Sequence, residues 1–393
     1  MRIALCSKGN FSLEKGFTKN RIELADSLQK LGWETVLVDK QMLGIPAEER
    51  YNAARHSLAL KEFFVENAAY FDVVLYEYDT LPFNRGLFNK ETLFVARPAI
   101  LAFHEPLTKI KYDLRARVSY LLKDIPKWFK GKKENPDAYY SHIQYCLEQT
   151  DLIQVQNTKD RDLLIRRGFN ANNIIIVPNG ITPERIAYFG NIAHKYEEPY
   201  KVAFVGTYDF RKGALDFPVV LKLLKKRFPT LQLKLLGTRG MFNTPDQVLR
   251  FFPKKYHASI EVIPSFKSED LPQLLTDCQI GVFPSYLESF GFGALEMMCA
   301  GLPVVAYDCP GPSDFILPDL LVSIGDPAAL AEKVIAVLEN KEMLMQKGKE
   351  AREKVMADYN WDDIALNVDQ AYKSHLKRLR KTAATAPVAC PEA

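Results

Sequence analysis

The stretch Glu288–Glu296, ESFGFGALE, decides the reading of this chain. Two carboxylates bracket a Gly-aromatic-Gly-rich turn. A single helix would put residues eight apart on roughly one face, but Gly291 and Gly293 spoil a continuous helix. The spacing therefore predicts a loop at Glu288 and a helix beginning near Phe292, with Glu296 one turn inside it. Backbone N–H groups at the start of such a helix face outward and favour an anion. A carboxylate one turn in leans back towards that end and can accept hydrogen bonds from a vicinal diol. A capping box gives a structural alternative for the same letters.

Upstream of this stretch, QIGVFPS reads as a short buried strand that ends just before Glu288. Working outward, KVAFVG, QLKLLG, IEVI and PVVAY are further strands, with helical periodicity between them. The first half repeats the alternation: RIALC, ETVLV, DVVLYE, AILAFH (Ala99–His104), DLIQVQ and IIIV, separated by stretches such as RIELADSLQKLG and TKDRDLLIRRG. Short apolar strands alternating with helices predict parallel sheets covered on both faces. The polar stretch near residues 184–199 has no clear period and reads as a linker. The expected organisation is α/β: an N-terminal Rossmann-like domain over 1–183, the linker 184–199, a C-terminal Rossmann-like domain over 200–360, a helix over 361–381 packing back on the N-terminal domain, and a flexible tail over 382–393. Two doubly wound halves joined in this way imply a cleft, with ligands beyond the carboxyl ends of the strands.

Composition narrows the partners. A 393-residue chain with 47% hydrophobic and 25% charged residues is ordinary globular protein. A net charge of +4 gives no overall attraction for nucleic acid. Cys6, Cys146, Cys278, Cys299, Cys309 and Cys390 have no metal-ligand spacing and suit a reducing compartment. MRIALCSKGNF lacks the apolar run of a secretion signal, and no run reaches the roughly 18 apolar residues of a spanning helix. The expected location is the cytoplasm, or peripherally on the inner face of a membrane.

A second motif, VGTYDFRKG, places Arg211 and Lys212 on a loop after a strand, where adjacent cations suit a diphosphate. A solvated loop is the bland alternative. With these pieces in order, PSYLESFGFGALEMMCAGLPVVAYDCPGPSDFI resembles the Glu-x7-Glu signature of the family 4 retaining glycosyltransferases, which have the GT-B fold. FVGTYDFRKG, VPNGI (Val177–Ile181) and FHEP, with His104 at a strand end, match in order and spacing. The resemblance is strongest over 174–316. It implies a nucleotide-diphosphate sugar as donor substrate; with Arg211 and Lys212 to stabilise the leaving charge and no metal-binding cluster in the sequence, the expectation is no metal and no bound cofactor. It further implies that Glu296 holds the ribose, that Glu288 holds the donor sugar, and that the backbone near Ser289, Phe290 and Gly291 holds diphosphate or sugar. Arg211 and Lys212 would neutralise the departing diphosphate, and His104 would approach the reacting centre. The family often has a Gly-Gly pair after the first strand; here SKGNFSLEKGFTKNR offers isolated Gly9 and Gly16, of which Gly16 is the better candidate. Thr207 stands where an arginine is common.

The acceptor is implied only as a hydroxyl, on a glycan or a lipid-linked carrier. The segment Thr108–Lys133 carries nine Lys/Arg against two acids, interleaved with Tyr120, Leu121, Leu122, Trp128 and Phe129. An interfacial helix on an anionic membrane surface and a solvated basic flap both fit this pattern. Two other functions stay open from the sequence: a catalytically silent sugar-nucleotide or glycan-binding subunit, and a two-domain NAD-dependent enzyme.

Overall fold

The structure, a computed structural model, describes residues 1–12, 16–46, 48–108, 136–190, 192 and 194–385. Nearly all of the basic segment 108–133, and the end of the tail including Cys390, lie outside these residues. The described chain divides into two compact units. One takes its residues from Met1–Ala102, Glu134–Gly180 and Trp361–Ala393, and the other from Phe103–Lys133 and Ile181–Asn360.

The first unit is built on a six-stranded, wholly parallel sheet in the order β2-β1-β3-β4-β5-β6. Its strands are β1 (Arg2–Cys6), β2 (Glu34–Val38), β3 (Val73–Glu77), β4 (Leu93–Arg97), β5 (Leu152–Val155) and β6 (Ile174–Ile176). Strands β3 and β4 are buried along their whole length, as a sheet covered on both faces requires. The helix Trp361–Thr385 belongs to this unit. Trp361, Ile364, Ala365, Val368, Tyr372 and Leu376 recur at helical spacing and join the core with Ile3, Leu5 and Leu24. Two indoles fix the pairing to the rest of the unit: Trp361 Nε1 donates to Glu23 Oε2 at 2.8 Å, and Trp33 Nε1 donates to Asp369 Oδ1 at 2.7 Å.

The second unit repeats the plan, again wholly parallel, in the order β12-β11-β10-β7-β8-β9. The strands are β7 (Lys201–Val205), β8 (Gln232–Leu236), β9 (Ile260–Ile263), β10 (Ile280–Phe283), β11 (Val304–Tyr307) and β12 (Leu321–Val322). The chain leaves β7 in one direction and returns to its other side at β10. The crevice between the carboxyl ends of β7 and β10 is therefore the topological switch point of this sheet.

Two local readings need correction. Ala99–His104 is not a strand: β4 is the preceding run LFVAR, and His104 lies in a 3₁₀ turn over Ala102–Leu107. Pro98 follows β4 directly; with no N–H and a fixed φ it cannot carry the ladder onward. The stretch read as an aperiodic linker opens with a helix, Pro183–Tyr188, and the Thr182 hydroxyl accepts from the Arg185 amide at 3.3 Å. A threonine cap, proline at the first helical position and Glu184 in the first turn start that helix within three residues.

Candidate active site

The Gly-rich knot works as a close-packed joint. Gly291 caps the helix Phe292–Cys299 with φ +99°, a conformation that favours glycine. One residue into the helix, a Cβ on Gly293 would lie 1.9 Å from the carbonyl oxygen of Val205, so the first turn rests directly on the end of β7. The Phe290 side chain is 2% exposed and packs with Phe292, Phe315 and Tyr359. The side chain of this residue is thus taken up by the core and not available to a ligand. Ser289 is half-buried beside it.

The loop after β7 meets the loop after β10. Asp209 caps the short 3₁₀ turn Phe210–Lys212 by accepting from the Lys212 amide at 2.9 Å, and Thr207 Oγ1 donates to the same carboxylate at 3.0 Å. The Tyr286 amide donates to the Arg211 carbonyl at 2.8 Å, which ties the two loops together. The side chains then converge. Lys212 Nζ donates to Glu288 Oε1, and Arg211 Nη1 lies 3.3 Å from Glu288 Oε2 while also donating to the Leu287 carbonyl. Lys212 Nζ stands 5.4 Å from the centre of the Phe283 ring.

Two cations thus share one carboxylate at the switch point. Burial pushes the Glu288 carboxyl up, but the charges of Lys212 and then Arg211 outweigh it and hold the group below the usual carboxylate range. Burial likewise works against the charge of Arg211, yet Glu288 and Asp209 overcome it and raise its pKa above the ordinary value. Arg211, Lys212 and Glu288 together carry one positive charge, which the neighbouring Asp209 carboxylate partly offsets, and the first amides of the following helix have no intrahelical acceptor. The cluster is chemically suited to an anion with several oxygens.

The structure brings Arg211, Lys212 and Glu288 together. Glu296 lies in the helix Phe292–Cys299, where it accepts from Arg185 Nη2. Arg185 is the residue that sequence reasoning missed, and the cap signature at Thr182-Pro183-Glu184 was the available signal for its helix. His104 is buried in its own turn, its carbonyl accepting from the Thr108 amide at 3.0 Å and hydroxyl at 2.9 Å. Gly16 is the first residue of the helix Gly16–Lys30 in the other unit. Among the described residues, no group of three or more His, Cys, Asp or Glu side chains could hold a metal ion. No described helix is long and apolar enough to cross a membrane.

The family model for glycosyl transferases group 1 matches residues 190–354. That range contains Arg211, Lys212, Glu288 and Glu296. The second unit carries a group 1 glycosyl transferase domain.

Relatives agree with this domain. The chain is 24% identical over 230 residues to a glycogen synthase of Mycobacterium tuberculosis, a match that covers 57% of this chain and 54% of that protein. The matched stretch therefore spans about half the length of that curated relative. Among solved structures, a sucrose-phosphate synthase from Thermosynechococcus elongatus superposes with a TM-score of 0.72 at 19% identity, covering 96% of this chain and 99% of that one. Anabaena HepE in complex with UDP superposes with a TM-score of 0.67 at 16% identity, covering 95% and 100%. The fold is GT-B: two α/β units, each a doubly wound parallel sheet.

Proposed function

We propose that the protein is a retaining, metal-independent glycosyltransferase that moves a sugar from a nucleoside-diphosphate sugar to a hydroxyl of a glycan or lipid-linked acceptor. The observation that carries this reading is the convergence of Arg211, Lys212 and Glu288 beside the helix Phe292–Cys299, within a group 1 glycosyl transferase domain. As the bond between the anomeric carbon and the diphosphate breaks, negative charge grows on the leaving oxygens. Arg211, Lys212 and the helix amides stabilise that charge where it develops, which is the task a metal ion performs in other sites. Glu288, held ionised by the same cations, accepts hydrogen bonds from the donor sugar's hydroxyls. The acceptor hydroxyl attacks the face that the diphosphate leaves, and its proton passes to a departing phosphate oxygen. This path needs no enzymatic nucleophile and retains the configuration. UDP in the structurally similar Anabaena protein supports a nucleoside diphosphate as the ligand.

The test is a thermal-shift screen with UDP, GDP and ADP and their sugar conjugates, with and without a chelator. One base series should stabilise the protein, by about 2.7 kcal/mol at 100 times its Kd. A chelator should change neither the shift nor the donor turnover. Absence of stabilisation by every nucleotide would overturn the reading, and activity lost to chelator and restored by Mn²⁺ would overturn its metal-free form.

A further inference from the structure

Glu296 does not stand alone on its helix. Its side chain is 14% exposed and that of Arg185 is 12% exposed, so the ion pair between them is largely shielded from water. Arg185 Nη2 donates to Glu296 Oε1. Among the described residues no hydrogen bond reaches Glu296 Oε2. One oxygen of the carboxylate is therefore anchored, and the other keeps its accepting capacity.

The anchor is itself held at both ends. The Ile181 amide donates to the Tyr359 carbonyl at 2.8 Å just before the helix Pro183–Tyr188. Arg352 Nη1 donates to the Phe189 carbonyl at 2.9 Å just after it. Between these ties the Thr182 hydroxyl caps the amide of Arg185 itself. A fixed short helix thus delivers a guanidinium to one oxygen of a carboxylate that sits one turn into the Phe292 helix. An unanchored glutamate would lose rotamer freedom on gripping a ligand, and Arg185 has already removed much of that freedom.

We infer that Arg185 is the positioning residue for Glu296 and thereby sets the preference for a nucleotide with an intact ribose diol. The inference rests on the proposed nucleotide-sugar function. The two oxygens divide the work: Oε1 takes the guanidinium, and Oε2 with the remaining lone pair of Oε1 accepts from the vicinal hydroxyls. A deoxy sugar leaves that carboxylate unsatisfied, and the loss is large only while Arg185 holds the carboxylate at the diol. Arg185 touches neither the diphosphate nor the transferred sugar in this scheme, so its effect falls on ribose recognition.

The experiment uses calorimetric Kd values for the nucleoside diphosphate that binds in the thermal-shift screen and for its 2′,3′-dideoxy form. The proteins are wild type, Arg185→Gln, Arg185→Lys, Glu296→Gln and the double variant Arg185→Gln/Glu296→Gln. Wild type should prefer the diol by about 10-fold or more, the scale of a hydrogen bond to a charged group. Arg185→Gln should lose most of that preference, Arg185→Lys should recover part of it, and the double variant should discriminate no worse than Glu296→Gln. Binding of the dideoxy form should stay within about threefold across the set, a constancy that a general loss of structure would not give. Wild-type discrimination in Arg185→Gln, or an equal loss for both ligands, would overturn the positioning role while leaving Glu296 as the ribose residue. Unchanged discrimination in Glu296→Gln would overturn the ribose assignment itself and the inference with it, whereas failure of every nucleotide to bind wild type would trace to the proposed function.

Discussion

Each unit ends its parallel strands on the same arithmetic: two cations and one carboxylate. In the second unit these are Arg211, Lys212 and Glu288. In the first, Arg21 donates to Glu77 at the end of β3, and Arg97 ends the neighbouring β4 with hydrogen bonds to Asn20 Oδ1 at 3.2 Å and Asn179 Oδ1 at 2.6 Å. Exposure separates the two. The Arg211 side chain is 28% exposed, against 1% for Arg21 and 6% for Glu77. Burial, aided by the charge of Arg21, pushes Arg97 down to about 10, whereas Arg211 is raised. A cation that reaches solvent can meet a ligand and lend it charge. A sealed one can only hold the surrounding chain, here the ends of β3 and β4 and the VPNG turn at Asn179. With equal charge counts, the open cluster is suited to the chemistry proposed for it, and the sealed one ties the framework together.

Removing the carboxylate of the sealed cluster should cost the most stability. Glu77→Ala leaves two guanidiniums buried together without a counter-charge. Loss of one partner from a buried pair costs about 3–5 kcal/mol. Chemical denaturation should show that loss in full, while the nucleotide Kd of the protein that remains folded should match wild type. A stability change under 1 kcal/mol would mean that the cluster is not a framework element.

The next largest effect is expected in the open cluster, and in rate rather than stability. Lys212→Ala removes one of the two cations proposed to meet the departing diphosphate, while Arg211 still pairs Glu288. Turnover should fall about 10²–10³-fold, the scale for losing one preorganised charge-stabilising donor. The unfolding free energy should move less than in Glu77→Ala. Steady-state kinetics and denaturation on the same preparation separate these outcomes, and a stability loss as large as that of Glu77→Ala with unaltered turnover would reverse the assignment.

The contrast also explains what could be read from the letters. Arg211 and Lys212 follow β7 within one loop, and Glu288 and Glu296 flank one turn, so local geometry fixes their spacing and the motif is visible in a single stretch. The glycines were legible for the same reason: a joint packed against Val205 leaves no other residue at Gly293. The sealed cluster has no such signature. Arg21 and Glu77 are 56 residues apart and Arg97 and Asn179 are 82 apart, and only the sheet order makes them neighbours. Arg185 stayed hidden on similar grounds, 111 residues from its partner and inside a polar stretch too short to show helical periodicity. The apolar letters of AILAFH imitated a strand because composition does not register that Pro98 has already ended β4. Strand β12, two residues long, is below the length at which alternation can be seen.

The open cluster should also respond to pH, by a smaller amount. The folded-state pKa of Glu288 lies below its ordinary value of 4.5, so the unfolded chain takes up this proton first as pH falls. The stability contributed by ionised Glu288 is then fully present above about pH 4.5 and drains away as pH falls through the folded-state value. Glu288→Gln keeps the shape of the side chain but cannot titrate, and it leaves Lys212 and Arg211 without their anion at every pH. The difference in unfolding free energy between wild type and Glu288→Gln should accordingly be largest at pH 7, nearly the same at pH 5.5, and smaller with each step below 4.5. Other carboxylates titrate alike in both proteins and cancel in the difference. Urea denaturation at pH 7, 5.5, 4.5, 4 and 3.5 provides the measurement. A difference that stays constant down to pH 3.5 would show that the two cations do not depend on an ionised Glu288, and the open cluster would then lose the charge coupling that distinguishes it from an exposed basic loop.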